Sequence, residues 1–338
     1  MKQHYIEKFN SNGYNIYRVP SIIVTDKGTV VVCYECRNGG DWGSTDLAIR
    51  YSADGGESWS NRQIIVRGEE INVIHNGILF YKNGIIHLLY HKNYRELYYT
   101  KSSDEGKTWS AAKDISYAYN ALRGEYKWTV IAAGPGHGIV TESGRMIIPV
   151  WVSANKGNIT AHQPSVVTTL YSDDDGESWK CGEIIPTNPK FTDQNESVLA
   201  ELPDGRIMMN SRHITGNGMR LVCFSPNGIE KWDNFYFDPQ LSEPIVAAGM
   251  TQSKSALWFT HCDCTHEQGR KNLSLHRSDD FGKTWNLVRK LDENGGYSDV
   301  YYDKHNNKLF VIAETGRAIP DNDWTFSLSV ISLNGDEI

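Results

Sequence analysis

An all-β fold is predicted for this 338-residue chain, on the strength of one octet that occurs four times and of short β-rich runs leading into every copy. A third observation agrees: no segment of 12 or more residues carries a clean 3.6-residue apolar period. The octets are SADGGESW at 52–59, SSDEGKTW at 102–109, SDDDGESW at 172–179 and SDDFGKTW at 278–285. Each reads Ser-x-Asp-x-Gly-x-Ser/Thr-Trp, and successive starts lie 50, 70 and 106 residues apart. The last interval holds about two of the shorter ones, so one repeat is expected to have lost its signature.

Each position of the octet has a physical task. Asp accepts backbone N–H groups and closes a turn, Gly supplies positive φ, and Trp lays a large apolar face on the sheet. The runs LAIRYS (47–52), ELYYTKS (96–102), VVTTLYS (166–172) and LSLHRS (273–278) read as strands ending in those turns, so the octets are hairpin tips. GTVVVCYE (28–35), GIIHLLYH (84–91), GRIMMNSR (205–212) and KLFVIAE (308–314) extend the pattern. Repeats of this length suit four-stranded antiparallel blades around an axis, and six of about 56 residues fill the chain. A six-bladed β-propeller forming one unit over residues 1–338 is therefore expected, since no Pro/Gly/Ser-rich linker interrupts it.

Composition narrows the partners. Hydrophobic residues make up 39% and charged ones 22%, enough for a packed core and unlike a disordered chain. Lys+Arg number 34 against Asp+Glu 41, a net charge of −7 that argues against nucleic acid or an anionic membrane. No apolar stretch is long enough to span a bilayer. The opening residues MKQHYIEKFNSNGYNIYRVPS lack an apolar signal core, and the cysteines at 33, 36, 181, 223, 262 and 264 are scattered. A reduced, cytoplasmic monomer is expected, although a secreted chain trimmed of its leader would read the same way.

The four octets resemble the Asp boxes of sialidases, and Tyr17-Arg18-Val19-Pro20 resembles that family's Tyr/Phe-Arg-Ile-Pro motif. The resemblance covers nearly the whole chain, including GPGHG at 134–138, and its catalytic positions find counterparts here in the right order. It implies a retaining exo-α-sialidase acting on a sialylated glycan or small sialoside, with no metal or organic cofactor. Three arginines would hold the sugar's carboxylate: Arg18, Arg212 at the end of GRIMMNSR, and Arg270 in GRKNLSLHRS. The planar guanidinium fork suits that task better than an ammonium. Arg277 is the rival to Arg270, but it lies one residue from an octet and so toward the far end of its strand. Asp41, in RNGGDWGSTD, matches the family's acid, with Asp46 as its rival, better read as a turn or capping residue. Tyr297, in GGYSDV, matches the nucleophile and Glu196 its base, while Glu35 and Arg37 border the sugar.

A tyrosine nucleophile makes electrostatic sense, and sialidases are the known tyrosine exception among glycosidases. A carboxylate attacking about 4 Å from the substrate's own carboxylate would meet about 4 kcal/mol of repulsion at an effective dielectric near 20. A neutral phenol avoids it, and its ordinary pKa of about 10 then calls for a base. Taken singly, each of these residues is more often structural, and only their joint presence favours chemistry. His137 reads as a turn side chain bonded to backbone. The run His261-Cys-Asp-Cys-Thr-His266 has poor geometry for a metal on a strand, and Cys33 and Cys36 should face opposite ways. Three other functions remain open: the same chemistry on a related 2-keto sugar acid such as Kdn or Kdo, intramolecular trans-sialylation, and a propeller that binds sialic acid without turnover.

Overall fold

The β-rich runs form strands where expected, and the strands form antiparallel meanders. The computed structural model describes residues 1–69, 72–154, 162–214 and 218–338. The first four-stranded unit is Ile16–Val24, Val30–Arg37, Thr45–Ser52 and Gln63–Val66; the second is Ile74–Lys82, Ile85–Lys92, Glu96–Ser102 and Lys113–Asp114. The third runs through Val130–Ala133, Met146–Ser153, Ser165–Ser172 and Lys180–Cys181, with Ile139–Val140 also paired to its second strand. Ser197–Glu201, Ile207–Ser211, Met219–Ser225 and Asp233–Ser242 make the fourth.

The last two units share a strand. Residues 286–294 of Asn286–Asp303 complete a fifth unit with Gly249–Gln252, Leu257–Cys262 and Lys271–Ser278. Residues 295–303 of the same strand open a sixth, followed by Lys308–Thr315 and Ser327–Asn334, and Lys2–Glu7 from the opposite end of the chain pairs alongside as its fourth member.

Burial explains why these strands carry so little polar alternation. Val30–Arg37 is buried at all eight positions because both of its faces are covered. Apolar layers lie between neighbouring units: Ile23, Val31, Cys33 and Leu47 of the first pack on Ile74, Leu79 and Leu88 of the second. Val198, Met208 and Val222 of the fourth pack on Met250, Leu257 and Phe259 of the fifth. Cys33 and Cys36 do enter different layers, Cys36 packing with Tyr17 and Tyr34.

All four octets link the third strand of a unit to its fourth, as hairpin tips. In the third, Asp174 Oδ1 accepts the Ser172 hydroxyl (2.8 Å) and the Ser178 N–H (2.9 Å), while Gly176 N–H donates to Ser172 Oγ (2.9 Å). The other three repeat this pattern. Hydrogen bonds from Thr108 hold the Asp104 carboxyl down at about 2. The missing repeat is present in altered form as SPNGIEKW at 225–232, where Asn227 replaces Asp and Gly228 comes one position early. Asn227 Oδ1 accepts the Ile229 N–H (3.0 Å), and Trp232 is buried like its counterparts Trp179 and Trp285.

Trp179 packs against Phe80 and Tyr99 of the second unit and so ties two units together. Trp179→Ala is expected to destabilise the protein by about 3–5 kcal/mol and Trp179→Phe by clearly less. Urea unfolding checks this; a Trp179→Ala loss below about 1 kcal/mol would show that the octet tryptophan is not a packing element.

Candidate active site

Because strands alternate in direction, the start of a first strand, the end of a second and the start of a third all lie at one end of a unit, and the octets lie at the other. Every predicted site residue falls at the first end. Arg18 and Tyr297 stand near the start of innermost strand segments, Glu196 just before one, Arg37 and Arg212 at the close of second strands, and Arg270 just before a third. Asp41 lies in the link between a second and a third strand. Strand ends and links, as well as innermost strands, thus converge at that end.

Three innermost strands carry a bulge at this level, at 18–21, 75–78 and 295–298. Bulges re-aim side chains next to active sites. Val19 takes φ 53°, a conformation unfavourable for a β-branched residue, and its N–H donates to Glu314 Oε1 (3.3 Å). The bulge thereby turns Arg18 toward Glu314, whose carboxylate receives Nε (2.9 Å) and Nη2 (3.2 Å). The same carboxylate accepts the backbone N–H of Tyr297 at 3.2 Å, so one buried acid fixes both an arginine and the predicted nucleophile.

Around Tyr297 four of the predicted residues are assembled. Its hydroxyl donates to Glu196 Oε1 at 2.5 Å and accepts from Arg212 Nη1 at 2.9 Å, and Arg212 also pairs with Glu196. The Arg18 and Arg270 guanidinium carbons lie 5.0 and 5.2 Å from the ring centroid. Burial and the Glu196 charge push the Tyr297 hydroxyl up, while Arg212, Arg270 and Arg18 oppose them. Arg270 is weakly paired, with Nε 3.6 Å from Asp323 and a buried Nη1 that lacks a hydrogen-bond partner.

Arg37 binds both predicted neighbours, donating through Nε to Glu35 (2.6 Å) and through Nη1 to Asp41 (2.6 Å). Burial disfavours the Asp41 charge, but Arg37 and Arg18 outweigh it and hold the carboxyl below its ordinary value. Glu35 is fully buried, which pushes its carboxyl up against the pull of Arg37, and it accepts the Asn76 N–H at 2.8 Å.

The rivals lie outside this set. Asp46, second in the strand Thr45–Ser52, accepts from Tyr14 (2.5 Å), Gly68 N–H (2.8 Å) and Arg67 (3.2 Å), so it ties separate segments together instead of capping a turn. Arg277 pairs with Asp279 and covers Trp258 beside an octet. His137 corrects the sequence reading: its ring Nδ1 meets the Asp299 carboxylate at 2.9 Å instead of a backbone group. Among the described residues no three His, Cys, Asp or Glu side chains are grouped to hold a metal ion. In the 261–266 run, His261 Nδ1 meets Ser242 O and Cys264 donates to Gly269 O.

Several neighbours were not foreseen. Glu314 closes the apolar run KLFVIAE, and nothing local marks its partner 296 residues away. Trp324 covers Arg18 with its ring centroid 4.8 Å away. Beside Asp41, Trp42 packs on Tyr94 at 4.7 Å, and Tyr94 stacks on His75 at 3.6 Å. The Arg220–Glu243 pair is fully buried behind Arg212.

Repeated Asp-box hairpins and a cluster of carboxylate-paired arginines around a phenol define the class: a β-protein with a charged, partly buried cluster at one end of its sheets. Residues 28–311 match the family described as a BNR repeat-like domain, and the chain belongs to that family. It is 25% identical to a sialidase of Bacteroides fragilis over 83% of this chain and 57% of the relative. The identity is also 25% to a sialidase of Micromonospora viridifaciens, over 85% of this chain and 47% of the relative. The chain thus spans about half the length of these two curated relatives. Among solved structures, the Hadza microbial sialidase Hz136 shares the fold with a TM-score of 0.81 at 19% identity, covering 99% of this chain and 69% of that one.

In an ultraviolet pH titration, the difference between wild type and Tyr297→Phe should show a phenol still largely un-ionised at pH 10, where a free tyrosine is half ionised. Removing the Glu196 charge with Glu196→Gln should move that ionisation to lower pH. A midpoint at or below 10 in wild type would contradict the burial and charge arrangement.

Proposed function

We propose that the protein is a retaining exo-α-sialidase whose six four-stranded units are the blades of a closed propeller. Contacts between neighbouring innermost strands support the propeller: Ile16–Val24 touches both Ile74–Lys82 and Asn286–Asp303, and Gly249–Gln252 touches both Ser197–Glu201 and Asn286–Asp303. The pairing of Lys2–Glu7 with Ser327–Asn334 supports closure by the two chain ends.

The observation that carries the activity is the Tyr297 hydroxyl 2.5 Å from Glu196 and 2.9 Å from Arg212, with two more guanidiniums against its ring. The substrate carboxylate is held by Arg18, Arg212 and Arg270, and the unpaired Nη1 of Arg270 is a donor ready for it. Glu196 takes the phenolic proton as Tyr297 Oη bonds to the anomeric carbon. The glycosidic bond breaks, and Asp41 gives its proton to the departing oxygen. Water then attacks the same carbon and displaces Tyr297 Oη as Asp41 takes the water proton, and Glu196 returns its proton to the released Tyr297 oxygen. For Asp41 to act first as an acid, its carboxyl must regain a proton. The arriving carboxylate supplies the reason, because it offsets the arginine charge that holds Asp41 ionised. Glu35 and Arg37 keep Asp41 in place and border the sugar. A binding protein without turnover would need the arginines but not a base hydrogen-bonded to a buried phenol.

Release of 4-methylumbelliferone from its α-sialoside is the test, with Tyr297→Phe expected to lose at least about 10³-fold in kcat. A wild type as inert as that variant would end the enzymatic reading. Asp41→Ala should damage turnover of sialyllactose, which has a poor leaving group, at least about tenfold more than turnover of the fluorogenic sialoside. Equal losses on both substrates would remove Asp41 as the proton donor.

A further inference from the structure

Two residues beyond Tyr297 lies a carboxylate that the chemistry above does not use. Asp299 is 1% exposed, and its two oxygens accept four N–H groups. Oδ2 receives the backbone N–H of Ile22 (3.0 Å) and of His137 (2.9 Å). Oδ1 receives the N–H of Val300 (2.9 Å) and faces the His137 ring Nδ1 at 2.9 Å. Since an ionised carboxylate is acceptor-only, that ring nitrogen carries the proton, and all four acceptor sites are filled.

These donors come from three separate parts of the chain. Ile22 lies in the strand that carries Arg18, Val300 in the strand that carries Tyr297, and His137 in the GPGHG turn of the third unit. The surroundings leave no slack. A Cβ on Gly249 would stand 2.6 Å from Asp299 Cα, and one on Gly136 would stand 3.3 Å from Oδ1. Gly136 also takes φ +92°, so the glycines of GPGHG are what let this turn reach the carboxylate. Below it, the His137 ring meets the edge of Tyr301 with centroids 5.0 Å apart.

We infer that Asp299, locked by His137, is a positioning residue for the nucleophile: it fixes the strand bearing Tyr297 against the strand bearing Arg18. It thereby sets where the phenolic oxygen stands relative to the arginine-held carboxylate. The inference rests on the sialidase reading above and adds to it a residue that touches no substrate. Arg18 and Arg212 have partners of their own, Glu314 and Glu196, and neither pairs with Asp299. Loosening the tie therefore leaves the grip on the carboxylate and spoils the distance of attack, where a misplacement of about 1 Å costs on the order of 10²-fold in rate.

Steady-state kinetics on the fluorogenic sialoside test this with Asp299→Asn, His137→Ala and His137→Asn, beside melting temperatures. Asparagine at 299 keeps the shape but turns an amide nitrogen toward two N–H donors. It should lower kcat about 10²-fold while KM stays within about threefold of wild type. His137→Ala should lower kcat by a smaller factor with the same split. His137→Asn, whose amide nitrogen stands near the place of Nδ1, should recover most of it. Should Asp299→Asn not fold, the two His137 variants decide. An unchanged kcat overturns the inference. So does a parallel loss of kcat, substrate affinity and melting temperature without recovery in His137→Asn, which marks a purely structural tie. A wild type without turnover instead overturns the sialidase reading, and the positioning role falls with it.

Discussion

Charge balance at one end of the molecule is the constraint on which the rest depends. The arginines at and beside the phenol are paired with carboxylates: Arg18 with Glu314, Arg37 with Glu35 and Asp41, Arg212 with Glu196, Arg220 with Glu243, and Arg270 and Arg317 with Asp323. Taking so many ions out of water costs several kcal/mol apiece unless each is paired and hydrogen-bonded. The pairing is uneven in a useful way. Arg18 and Arg220 are matched at close range in the interior, whereas Arg270 holds its partner at 3.6 Å and keeps one nitrogen unpaired. On the proposed reading, an incoming carboxylate meets a paired frame that still holds unsatisfied donors, Arg270 Nη1 and Arg212 Nε among them.

The fold serves that frame. Sheets buried on both faces bring strand ends from distant parts of the chain to a common level. Bulges at 18–21, 75–78 and 295–298 turn side chains inward at that level. Octet turns occupy the opposite end, where Asp104 and its counterparts close hairpins and the tryptophans bind one unit to the next. On the proposed function, stability and chemistry fall at opposite ends of the same strands. Substitutions at the octets should act on unfolding, and those at the arginine end on turnover.

Much of this was legible in the sequence because it is local. Octets with a fixed internal pattern disclose the hairpins, and YRVP and GGYSDV carry the arginine and the tyrosine in short contexts that resemble the family's. What escaped is what depends on contact between distant segments. Glu314 reads as the end of an apolar strand, and only folding sets it between Arg18 and Tyr297. His137 reads as a turn residue, and the Asp299 carboxylate that claims it lies 162 positions away. The drifted repeat at 225–232 kept its Ser and Trp but replaced Asp by Asn and moved Gly, so a pattern anchored on Asp-x-Gly passes over it.

The central claim is that a phenol, set among guanidiniums because a carboxylate would be repelled there, bonds to the sugar. Trapping the intermediate with a 2,3-difluorinated sialic acid, followed by peptide mass spectrometry, tests it most directly. An adduct confined to the peptide containing Tyr297, and absent from Tyr297→Phe, is the predicted result. An adduct on Asp41 or Glu196, or turnover with no adduct on any residue, would contradict the account.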